Sequence, residues 1–213
     1  MPKFKVPEVT IERLSIYLRA IKRLNEESIL SSQELANLLE TSDGQVRKDL
    51  AYFGGFGVPG QGYKVGKLKK EIRHILGLDT TWGMALVGVG NLGRALLIYP
   101  GFKRNEFEIR AAFDKDPSKI GKVWQGVEVQ DVENIPQILP LKEIKIGIIT
   151  TPASAAQEVA DKLVKGGVKG ILNFAPTRIS IPKEVKLKNV DLSMELENLS
   201  YFLNKRSQIR RQK

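Results

Sequence analysis

The sequence contains no cysteine, a single histidine and no long hydrophobic run. Without cysteine the chain forms neither disulfide bonds nor a thiol redox switch, and His74 alone cannot build a Cys/His zinc site. No apolar run approaches the ~20 residues that a membrane-spanning helix needs, and residues 1–5 lack a secretory apolar segment. These absences predict a cytoplasmic protein with no metal and no membrane partner, in which a bound ligand carries any redox response.

Positive charge is concentrated in two parts of the chain. The 213 residues carry a net charge of +10, yet residues 77–204 are nearly neutral, with 16 Lys/Arg against 15 Asp/Glu. Residues 44–76 hold seven basic and two acidic side chains, and residues 205–213 hold five basic and no acidic ones. The first segment suits a phosphate-rich partner, whereas the tail is typical of a disordered, solubilising end.

The first 50 residues have the pattern of a helix-turn-helix. Apolar residues three and four apart predict an amphipathic first helix over residues 9–25. Ser31 with Glu34 matches a capping box that begins a second helix, and residues 42–45 match another that begins a third. Val46 and Leu50, one turn apart, would form the inward face of this third helix.

The outward face of the third helix is rich in hydrogen-bond donors, namely Gln45, Arg47, Lys48 and Tyr52. Arginine can bind guanine, glutamine can pair with adenine and lysine can reach phosphate, so this face suits a DNA major groove. A solvated helix with ordinary charges is the alternative for any one of these residues.

A glycine-rich segment follows, with six glycines in residues 54–66. Phe56, Val58, Tyr63 and Val65 are interleaved with the glycines and are expected to pack, which favours a hairpin wing over a flexible linker. Glycine allows close approach to a sugar-phosphate backbone. A fourth helix is expected over residues 68–76, with Gly77 as its stop signal. The predicted DNA-binding residues are Ser42, Gln45, Arg47, Lys48, Tyr52, Gly60, Gly62, Tyr63 and Lys64.

Beyond residue 82 apolar strands alternate with helical stretches. Strands are predicted at 84–88, 107–113, 144–150 and 168–172 and around Val190, and helices at 92–99, 131–139 and 153–165. This alternation is typical of a parallel sheet covered by helices on both faces. In such sheets ligands bind where the strands end, so the loops after the strands should form one pocket.

One of these loops has the sequence Gly88-Val89-Gly90-Asn91-Leu92-Gly93, between a predicted strand and a predicted helix. Glycines in this pattern allow a tight turn and close approach to a pyrophosphate, which predicts a Rossmann-type dinucleotide site. Asp114 ends the next strand, where an acidic side chain would accept hydrogen bonds from the adenosine ribose and favour NAD over NADP. The adjacent Lys115 weakens the preference for NAD over NADP. The alternative to a ribose contact is that Asp114 caps the following turn.

The predicted nucleotide pocket draws on the ends of four strands and on one residue near the C-terminal helix. Simple strand termination is the alternative role of Pro152 and Pro176. The predicted cofactor-binding residues are Gly88, Val89, Gly90, Asn91, Leu92, Gly93, Asp114, Lys115, Thr150, Thr151, Pro152, Asn173, Phe174, Ala175, Pro176 and Asp191.

The last predicted helix is apolar and strongly amphipathic, through Met194, Leu196, Leu199, Phe202 and Leu203. Such a helix needs a partner surface, either on its own domain or in a second subunit. The chain is thus expected to have an α/β fold in three parts. These are a winged helix-turn-helix DNA-binding domain (1–77), a Rossmann-type NAD(H)-binding domain (78–192) and a dimerisation helix with a basic tail (193–213).

Several motifs occur together, in order, over nearly the whole chain. They are Arg13-Leu14, Tyr17-Leu18-Arg19, residues 45–54 (QVRKDLAYFG), residues 60–63 (GQGY), residues 73–77 (RHILG), residues 170–176 (GILNFAP) and Asn189-Val190-Asp191. With these motifs the sequence resembles the Rex family of bacterial redox-sensing transcriptional repressors. The resemblance implies a homodimer with swapped C-terminal helices that binds palindromic operator DNA when NADH is scarce and releases it on binding NADH.

The resemblance also implies a switch that links nicotinamide binding to the DNA-binding domains, formed by Arg19, Tyr99 and Asp191. NADH and NAD⁺ would be the ligands, and no enzymatic activity is expected. An NAD-dependent dehydrogenase is one alternative, but no substrate domain follows and His74 lies before the cofactor domain. A module for coenzyme A or another adenine nucleotide is the second alternative, since the fold does not fix the ligand.

Overall fold

The computed structural model describes residues 6–58 and 60–211, with side chains through residue 204. The chain divides into two compact units, the N-terminal unit Met1–Thr80 and the C-terminal unit Thr81–Lys213. The expectations for residues 1–5, for Pro59 in the wing and for the basic side chains of 205–213 lie outside the described part.

The N-terminal unit is a small helical fold around one apolar core. It contains α1 (Glu8–Ile21), β1 (Ile29–Leu30), α2 (Ser32–Leu38), α3 (Asp43–Ala51), β2 (Tyr63–Lys64) and α4 (Val65–Ile75). Helices α2 and α3 form the predicted helix-turn-helix, and Val46 and Leu50 of α3 are buried, as their spacing predicted. The core is formed by Leu14, Tyr17, Ile21, Leu35, Ala36, Val46, Leu50, Phe56, Leu68 and Ile72.

The two predicted capping boxes differ in the structure. Ser31 accepts a hydrogen bond from the Glu34 N–H, and the Glu34 carboxylate accepts one from the Ser31 N–H, so the box before α2 is complete. Ser42 likewise caps the Gln45 N–H, but the Gln45 side chain donates to Asp49 instead of reaching back. The prediction of a second reciprocal box is therefore wrong, because a buried carboxylate competes for that amide.

The helix ends also differ from their predicted positions. Helix α1 ends at Ile21 and not near residue 25, and α4 begins at Val65, which the glycine-rich pattern places in the wing. The stop signal after α4 is confirmed, since Gly77 has φ 69° and its N–H donates to the His74 carbonyl oxygen.

The wing is shorter than a two-stranded hairpin. Val58 and Gly62 form an isolated antiparallel bridge, and Tyr63–Lys64 then pairs with Ile29–Leu30, a strand that the sequence did not suggest. A Cβ at Gly62 would overlap the Leu30 carbonyl oxygen, so this pairing requires glycine. Phe56 is buried as predicted, but Val58 is 56% exposed, so the prediction that it packs is wrong.

The C-terminal unit is built on a seven-stranded sheet with the order β5-β6-β4-β3-β7-β8-β9. The strands are β3 (Trp82–Val87), β4 (Phe107–Asp114), β5 (Val123–Trp124), β6 (Val127–Asp131), β7 (Ile144–Ile149), β8 (Gly170–Asn173) and β9 (Lys186–Asn189). All neighbours pair in parallel except β5 and β6, which form an antiparallel edge. The predicted parallel sheet is confirmed, although Val190 lies just beyond β9.

Helices connect these strands as a βαβ pattern requires. They are α5 (Asn91–Leu97), α6 (Pro100–Lys103), α7 (Ile135–Leu141) and α8 (Ala156–Lys165), and short 3₁₀ turns precede α7 and α8 at Val132–Asn134 and Ala153–Ala155. The larger apolar core involves the sheet, α7 and α8, through residues such as Phe113, Ile149 and Leu163. A smaller core on Leu86, Val89, Ala112 and Val129 includes Leu96 of α5 and Trp124 of β5.

The last helix, α9 (Leu192–Arg211), does not have the single amphipathic face that was predicted. Leu192, Leu196, Leu199 and Leu203 form one stripe, because their spacing of four, three and four residues follows the helix repeat. Met194 and Tyr201 lie on the opposite side. All six side chains are between 58% and 67% exposed.

Candidate functional site

The glycine motif forms the tight turn between β3 and α5. Gly88 has φ 100°, and a Cβ there would lie 2.9 Å from the Thr150 carbonyl carbon. A Cβ at Gly93 would overlap the Gly88 carbonyl oxygen, so this glycine lets α5 approach the strand end. Gly90, at the N-cap of α5, faces open space. Two glycines therefore close the turn, and the third keeps the space in front of it free.

Threonines at the end of β7 join this turn. The Thr150 hydroxyl donates to the carbonyl oxygens of Gly88 at 2.7 Å and of Val87 at 3.1 Å. The Thr151 hydroxyl is buried and has no hydrogen-bond partner within the described structure. A buried hydroxyl without a partner is costly, which makes Thr151 a candidate ligand contact.

Asp114, at the end of β4, is 6% exposed and accepts three hydrogen bonds. They come from the Val89 N–H at 2.7 Å, the Asp116 N–H at 3.0 Å and the Lys119 ammonium at 2.9 Å. Burial alone would raise the pKa of Asp114, but these bonds outweigh it and hold the pKa below its usual range. The carboxylate thus makes the capping contact with Asp116 and also fastens the glycine loop to β4.

Two residues beside this loop were missed by sequence reasoning. Lys119 pairs with Asp114 five residues earlier, and Arg94 lies 5.5 Å over the Trp124 ring while donating to the Asn91 side-chain oxygen at 2.7 Å. Arg94 follows the last glycine of the motif directly, which is a signal that could have identified it. The contact with Trp124 had no such signal, because β5 is only two residues long.

Asn173, at the end of β8, uses its side chain to bind its own loop and the end of β9. Its amide nitrogen donates to the Asn189 side-chain oxygen at 2.9 Å and to the Thr177 carbonyl oxygen at 3.1 Å, and its oxygen accepts from the Ala175 N–H at 3.0 Å. The residue is 1% exposed, so it shapes the loop rather than offering a free ligand group. Phe174 is half-buried, Ala175 is buried and Pro176 is exposed.

These loops lie at one edge of the sheet, because β4, β3, β7 and β8 are adjacent, parallel strands. The edge combines a glycine cradle that a Cβ would fill, a buried carboxylate and an unpartnered hydroxyl. These features fit a dinucleotide, with its pyrophosphate at Gly90 and its adenosine ribose toward Asp114. Lys115 is exposed beside Asp114, and Asn91 and Leu92 are exposed in the first turn of α5.

The recognition helix α3 carries a buried carboxylate that the sequence did not single out. Asp49 is 0% exposed and accepts a bidentate pair of bonds from Arg13, at 2.5 and 2.6 Å, and one from the Tyr17 hydroxyl at 2.6 Å. Burial alone would raise the pKa of Asp49, yet the bonds from Arg13, Tyr17 and Gln45 hold it below its usual range. Its position one residue before Leu50, on the inward face, is the signal that could have found it.

The remaining α3 residues with predicted DNA contacts are exposed or half-buried. The Arg47 guanidinium donates to Asp43 at 2.5 Å and to the Ser32 hydroxyl at 3.1 Å, and Lys48 is exposed. A cleft of about 610 Å³ separates α3 from the wing. Its lining includes the predicted residues Arg47, Gly60, Gly62 and Tyr63, and burial raises the pKa of Tyr63.

The three predicted switch residues lie in both units. Arg19 belongs to the last turn of α1, whereas Tyr99 immediately precedes α6 and Asp191 immediately precedes α9. Tyr99 is 55% exposed and makes an edge-to-face contact with Phe102, with ring centroids 5.1 Å apart. The Asp191 carboxylate accepts a hydrogen bond from the Ser193 N–H at 2.9 Å and so caps α9.

The single histidine and the acidic side chains do not form a further site in the described part of the chain. His74 is largely exposed, and its ring Nδ1 lies 2.6 Å from an Asp79 carboxylate oxygen. Among the described residues there is no cluster of acidic and histidine side chains that could hold a metal ion. The described helices include none with the length and apolar character to cross a membrane.

Two family models match parts of the chain. Residues 5–51 match the model described as "Putative DNA-binding protein N-terminus", and residues 79–177 match the model described as "CoA binding domain". Solved structures of RSP, a Rex-family repressor, are similar over the whole length. The structure of RSP with β-NAD⁺ and operator DNA has a TM-score of 0.92 at 38% identity and covers 98% of this chain and 97% of RSP. The structure of RSP with β-NADH has a TM-score of 0.87 at 37% identity and covers 99% and 100%.

Curated relatives agree with this match. The redox-sensing transcriptional repressor Rex of Desulfitobacterium hafniense is 47% identical over 97% of this chain and 99% of its own length. Rex of Thermus thermophilus is 48% identical over 93% of this chain and 94% of its own length. These relatives are named as transcriptional repressors, which argues against the dehydrogenase alternative. The chain belongs to the family of redox-sensing transcriptional repressors named Rex.

Proposed function

We propose that the protein binds palindromic operator DNA when NADH is scarce and that NADH binding releases it from the DNA. The observation that carries this proposal is the pairing, in one chain, of a donor-bearing recognition helix with a glycine cradle fitted to a dinucleotide. RSP, a relative with both units, has been solved with operator DNA and with NADH. An operator partner would also place the protein in the cytoplasm.

The C-terminal unit supplies the ligand contacts. The backbone around Gly90 and the first turn of α5 would hold the pyrophosphate, and Arg94 adds a positive charge beside them. Asp114 would accept hydrogen bonds from the adenosine ribose, with Lys115 at the rim of the same site. Thr151, Pro152 and the backbone of residues 173–176 would line the nicotinamide side. The bound nucleotide supplies a nicotinamide ring whose charge differs between its two redox states.

The residues near the nicotinamide ring must discriminate between NADH and NAD⁺. The ribose and phosphate contacts are common to both forms, so they set affinity without sensing the redox state. Tyr99 and Asp191 are the proposed ring-side residues, and Arg19 would link them to α1. A tenfold shift between the DNA-binding state and the released state requires a nucleotide to favour the released state by only ~1.4 kcal/mol.

The N-terminal unit supplies the DNA contacts. Arg47 and Lys48 are exposed on α3 and would reach base edges or phosphate in the major groove. Ser42 and Tyr52 at the two ends of α3, with Gly60, Gly62, Tyr63 and Lys64 of the wing, would approach the sugar-phosphate backbone. Gln45 would read a base beside them.

We infer a homodimer whose α9 helices are swapped between subunits. The two apolar sides of α9, one of leucines and one of Met194 and Tyr201, are exposed in a single chain and need two surfaces to cover them. Two recognition helices must lie about 34 Å apart to enter successive major grooves of one DNA face. A modest rotation of the subunits would break that spacing and release one half-site.

The test is a fluorescence-anisotropy titration on a palindromic operator selected from random duplex DNA. NADH, NAD⁺ and coenzyme A are added separately at fixed salt. Release by NADH at concentrations where NAD⁺ and coenzyme A have little effect is the expected result. DNA binding that ignores both nicotinamide nucleotides would overturn the proposal, and release by coenzyme A alone would favour the coenzyme A alternative.

The variant Arg47→Ala tests whether the exposed face of α3 contacts DNA. It should weaken operator binding at least ~10-fold, because a lost bidentate or phosphate contact costs about 1–3 kcal/mol, and it should leave NADH binding intact. Arg110→Ala, in the C-terminal unit, is the matched control. Loss of both activities in Arg47→Ala would show that Arg47 is needed for folding, and the assignment to DNA would fail.

A further inference from the structure

Asp49 stands out because it is a fully buried charge on the recognition helix that receives five hydrogen bonds. Its Oδ1 accepts from the Thr10 hydroxyl at 3.2 Å, from an Arg13 amino group at 2.6 Å and from the Gln45 amide nitrogen at 2.9 Å. Its Oδ2 accepts from Arg13 Nε and from the Tyr17 hydroxyl. A buried carboxylate is tolerated when its oxygens are satisfied in this way.

Four of these bonds fasten α1 to α3. Thr10, Arg13 and Tyr17 lie on one face of α1, three and four residues apart, and Thr10 and Tyr17 are each 1% exposed. The Arg13 fork holds both carboxylate oxygens at once, which fixes the rotation of the carboxylate as well as its position. Asp49 belongs to α3, but side chains of α1 hold its carboxylate in one orientation.

The fifth bond is made to Gln45, one turn earlier on α3. An ionised carboxylate only accepts hydrogen bonds, so the side of the Gln45 amide that faces Asp49 must be its nitrogen. The reverse orientation would set the amide oxygen against Asp49 Oδ1, two acceptors without a proton between them. The carboxylate thus fixes which end of the Gln45 amide points inward.

We propose that Asp49 is a positioning residue for DNA reading, which sets the base preference of Gln45 by fixing the orientation of its amide. The inference rests on the proposed function, in that α3 enters the major groove. Gln45 is half-buried and keeps its oxygen and its second N–H for the DNA. An amide oxygen beside an N–H is the pair that binds N6 and N7 of adenine, so Gln45 selects adenine.

The experiment measures base preferences rather than affinity alone. The duplexes are the operator selected by the wild-type protein and its single base-pair variants, compared by competition anisotropy without nucleotide. Gln45→Ala first identifies the base pair whose preference depends on Gln45. The wild-type protein should favour adenine there by roughly 5- to 100-fold, the range of a bidentate contact.

Asp49→Asn is the decisive variant. Asparagine can present either a donor or an acceptor to Gln45, so the amide orientation is no longer fixed. The preference at that base pair should fall to within about twofold, while preferences at the other base pairs persist. Tyr17→Phe is the matched control, because it removes a bond to Oδ2 and leaves the Gln45 bond in place. It should keep the adenine preference.

Three results would overturn the proposal. In the first, Asp49→Asn weakens all duplexes by one common factor, as expected of a residue that only supports the fold. In the second, Gln45→Ala leaves every preference unchanged, so that Gln45 reads no base. In the third, the wild-type protein shows no sequence preference at all, which would refute the proposed function itself and this inference with it.

A measurement on the wild-type chain decides the question if Asp49→Asn does not fold. The Gln45 side-chain amide is assigned in an ¹⁵N–¹H spectrum by its disappearance in Gln45→Met. One of its two protons should be shifted from the other and protected from exchange with water, as a proton held by Asp49 must be. Two protons that both exchange as fast as those of exposed glutamines would contradict the proposed orientation.

Discussion

Asp114 has contacts that make its proposed ribose role testable by a conservative change. Its oxygens already accept bonds from Val89, Asp116 and Lys119, and a carboxylate has room for about one more. The ribose hydroxyls must therefore use the remaining lone pair or take the place of Lys119. Either way, the negative charge of Asp114 strengthens the contact.

We expect Asp114→Asn to weaken NADH and NAD⁺ binding by about 10-fold or more, since a hydrogen bond to a charged group contributes roughly 1.5–3 kcal/mol. Isothermal titration calorimetry with each nucleotide measures the effect. The variant should still bind the operator without nucleotide, because Asp114 lies in the C-terminal unit. Unchanged affinity for both nucleotides would show that the residue only caps its turn.

The lowered pKa of Asp114 also predicts how acid affects the C-terminal unit. A carboxylate whose folded-state pKa lies below its unfolded value of about 3.9 stabilises the fold above that pH. This contribution is lost as the pH falls from about 5 through the folded-state pKa. Both tryptophans, Trp82 and Trp124, belong to the C-terminal unit, so fluorescence during urea unfolding follows that unit alone.

Between pH 7 and pH 3 the wild-type C-terminal unit should therefore lose more stability than the Asp114→Asn variant does. The difference arises because the variant has no carboxylate to protonate at this position. Parallel stability curves for the two proteins would mean that Asp114 has the same pKa in the folded and unfolded chains.

At the scale of elements, two substitutions in the glycine turn separate its role in the fold from its role in nucleotide binding. A Cβ at Gly93 would overlap the Gly88 carbonyl oxygen, so Gly93→Ala must push α5 away from β3. Gly90 has φ −82°, which alanine adopts freely, and a Cβ there meets no atom within 4 Å. Gly90→Ala should keep the fold but place a methyl group where the pyrophosphate approaches.

We expect Gly93→Ala to lower the free energy of unfolding of the C-terminal unit by about 1–3 kcal/mol. Gly90→Ala should change it by less than about 0.5 kcal/mol while weakening nucleotide binding at least ~10-fold. Urea unfolding and nucleotide titration of both variants check the pair. Full nucleotide affinity in Gly90→Ala would mean that the pyrophosphate does not lie at this turn.

The elements show which features could be predicted from the sequence. The complete capping box at Ser31, the buried pair Val46 and Leu50 and strands β3, β4, β7 and β8 were predicted, because capping and periodicity are local signals. Strands β1, β2 and β5 have two residues each, too few to show a period, and they exist through their partners. The bonds from Arg13 to Asp49 were missed because they join residues 36 positions apart, which no local pattern connects.

The candidate site was predictable to a similar extent. The glycine loop and Asp114 lie at one edge of the sheet, as their positions after β3 and β4 indicated. Asn173 was predicted to belong to the pocket, and in the structure its side chain bonds to its own loop and to Asn189. That outcome depends on Asn189, a residue 16 positions away on β9, which no local pattern connects to Asn173.

At the scale of the whole molecule, the proposed dimer requires α9 to bring two recognition helices together. Its leucine stripe and the opposite Met194 and Tyr201 side are exposed in the single chain, and contiguous apolar surface of this kind marks an interaction site. In the proposed dimer each side would be covered, so a charge placed on either one must be buried without a counter-ion.

Leu199→Glu should therefore shift the protein from dimer to monomer, with a dimer dissociation constant at least ~100-fold higher, because burying an unpaired carboxylate costs several kcal/mol. Size-exclusion chromatography with light scattering measures the mass. Ser200→Glu adds the same charge to the neighbouring position, off the leucine stripe, and should remain dimeric. The monomer should bind a palindromic operator no more tightly than an isolated half-site, since only one recognition helix is then engaged. A monomeric wild-type protein, or a Leu199→Glu variant that stays dimeric, would show that α9 does not form the dimer.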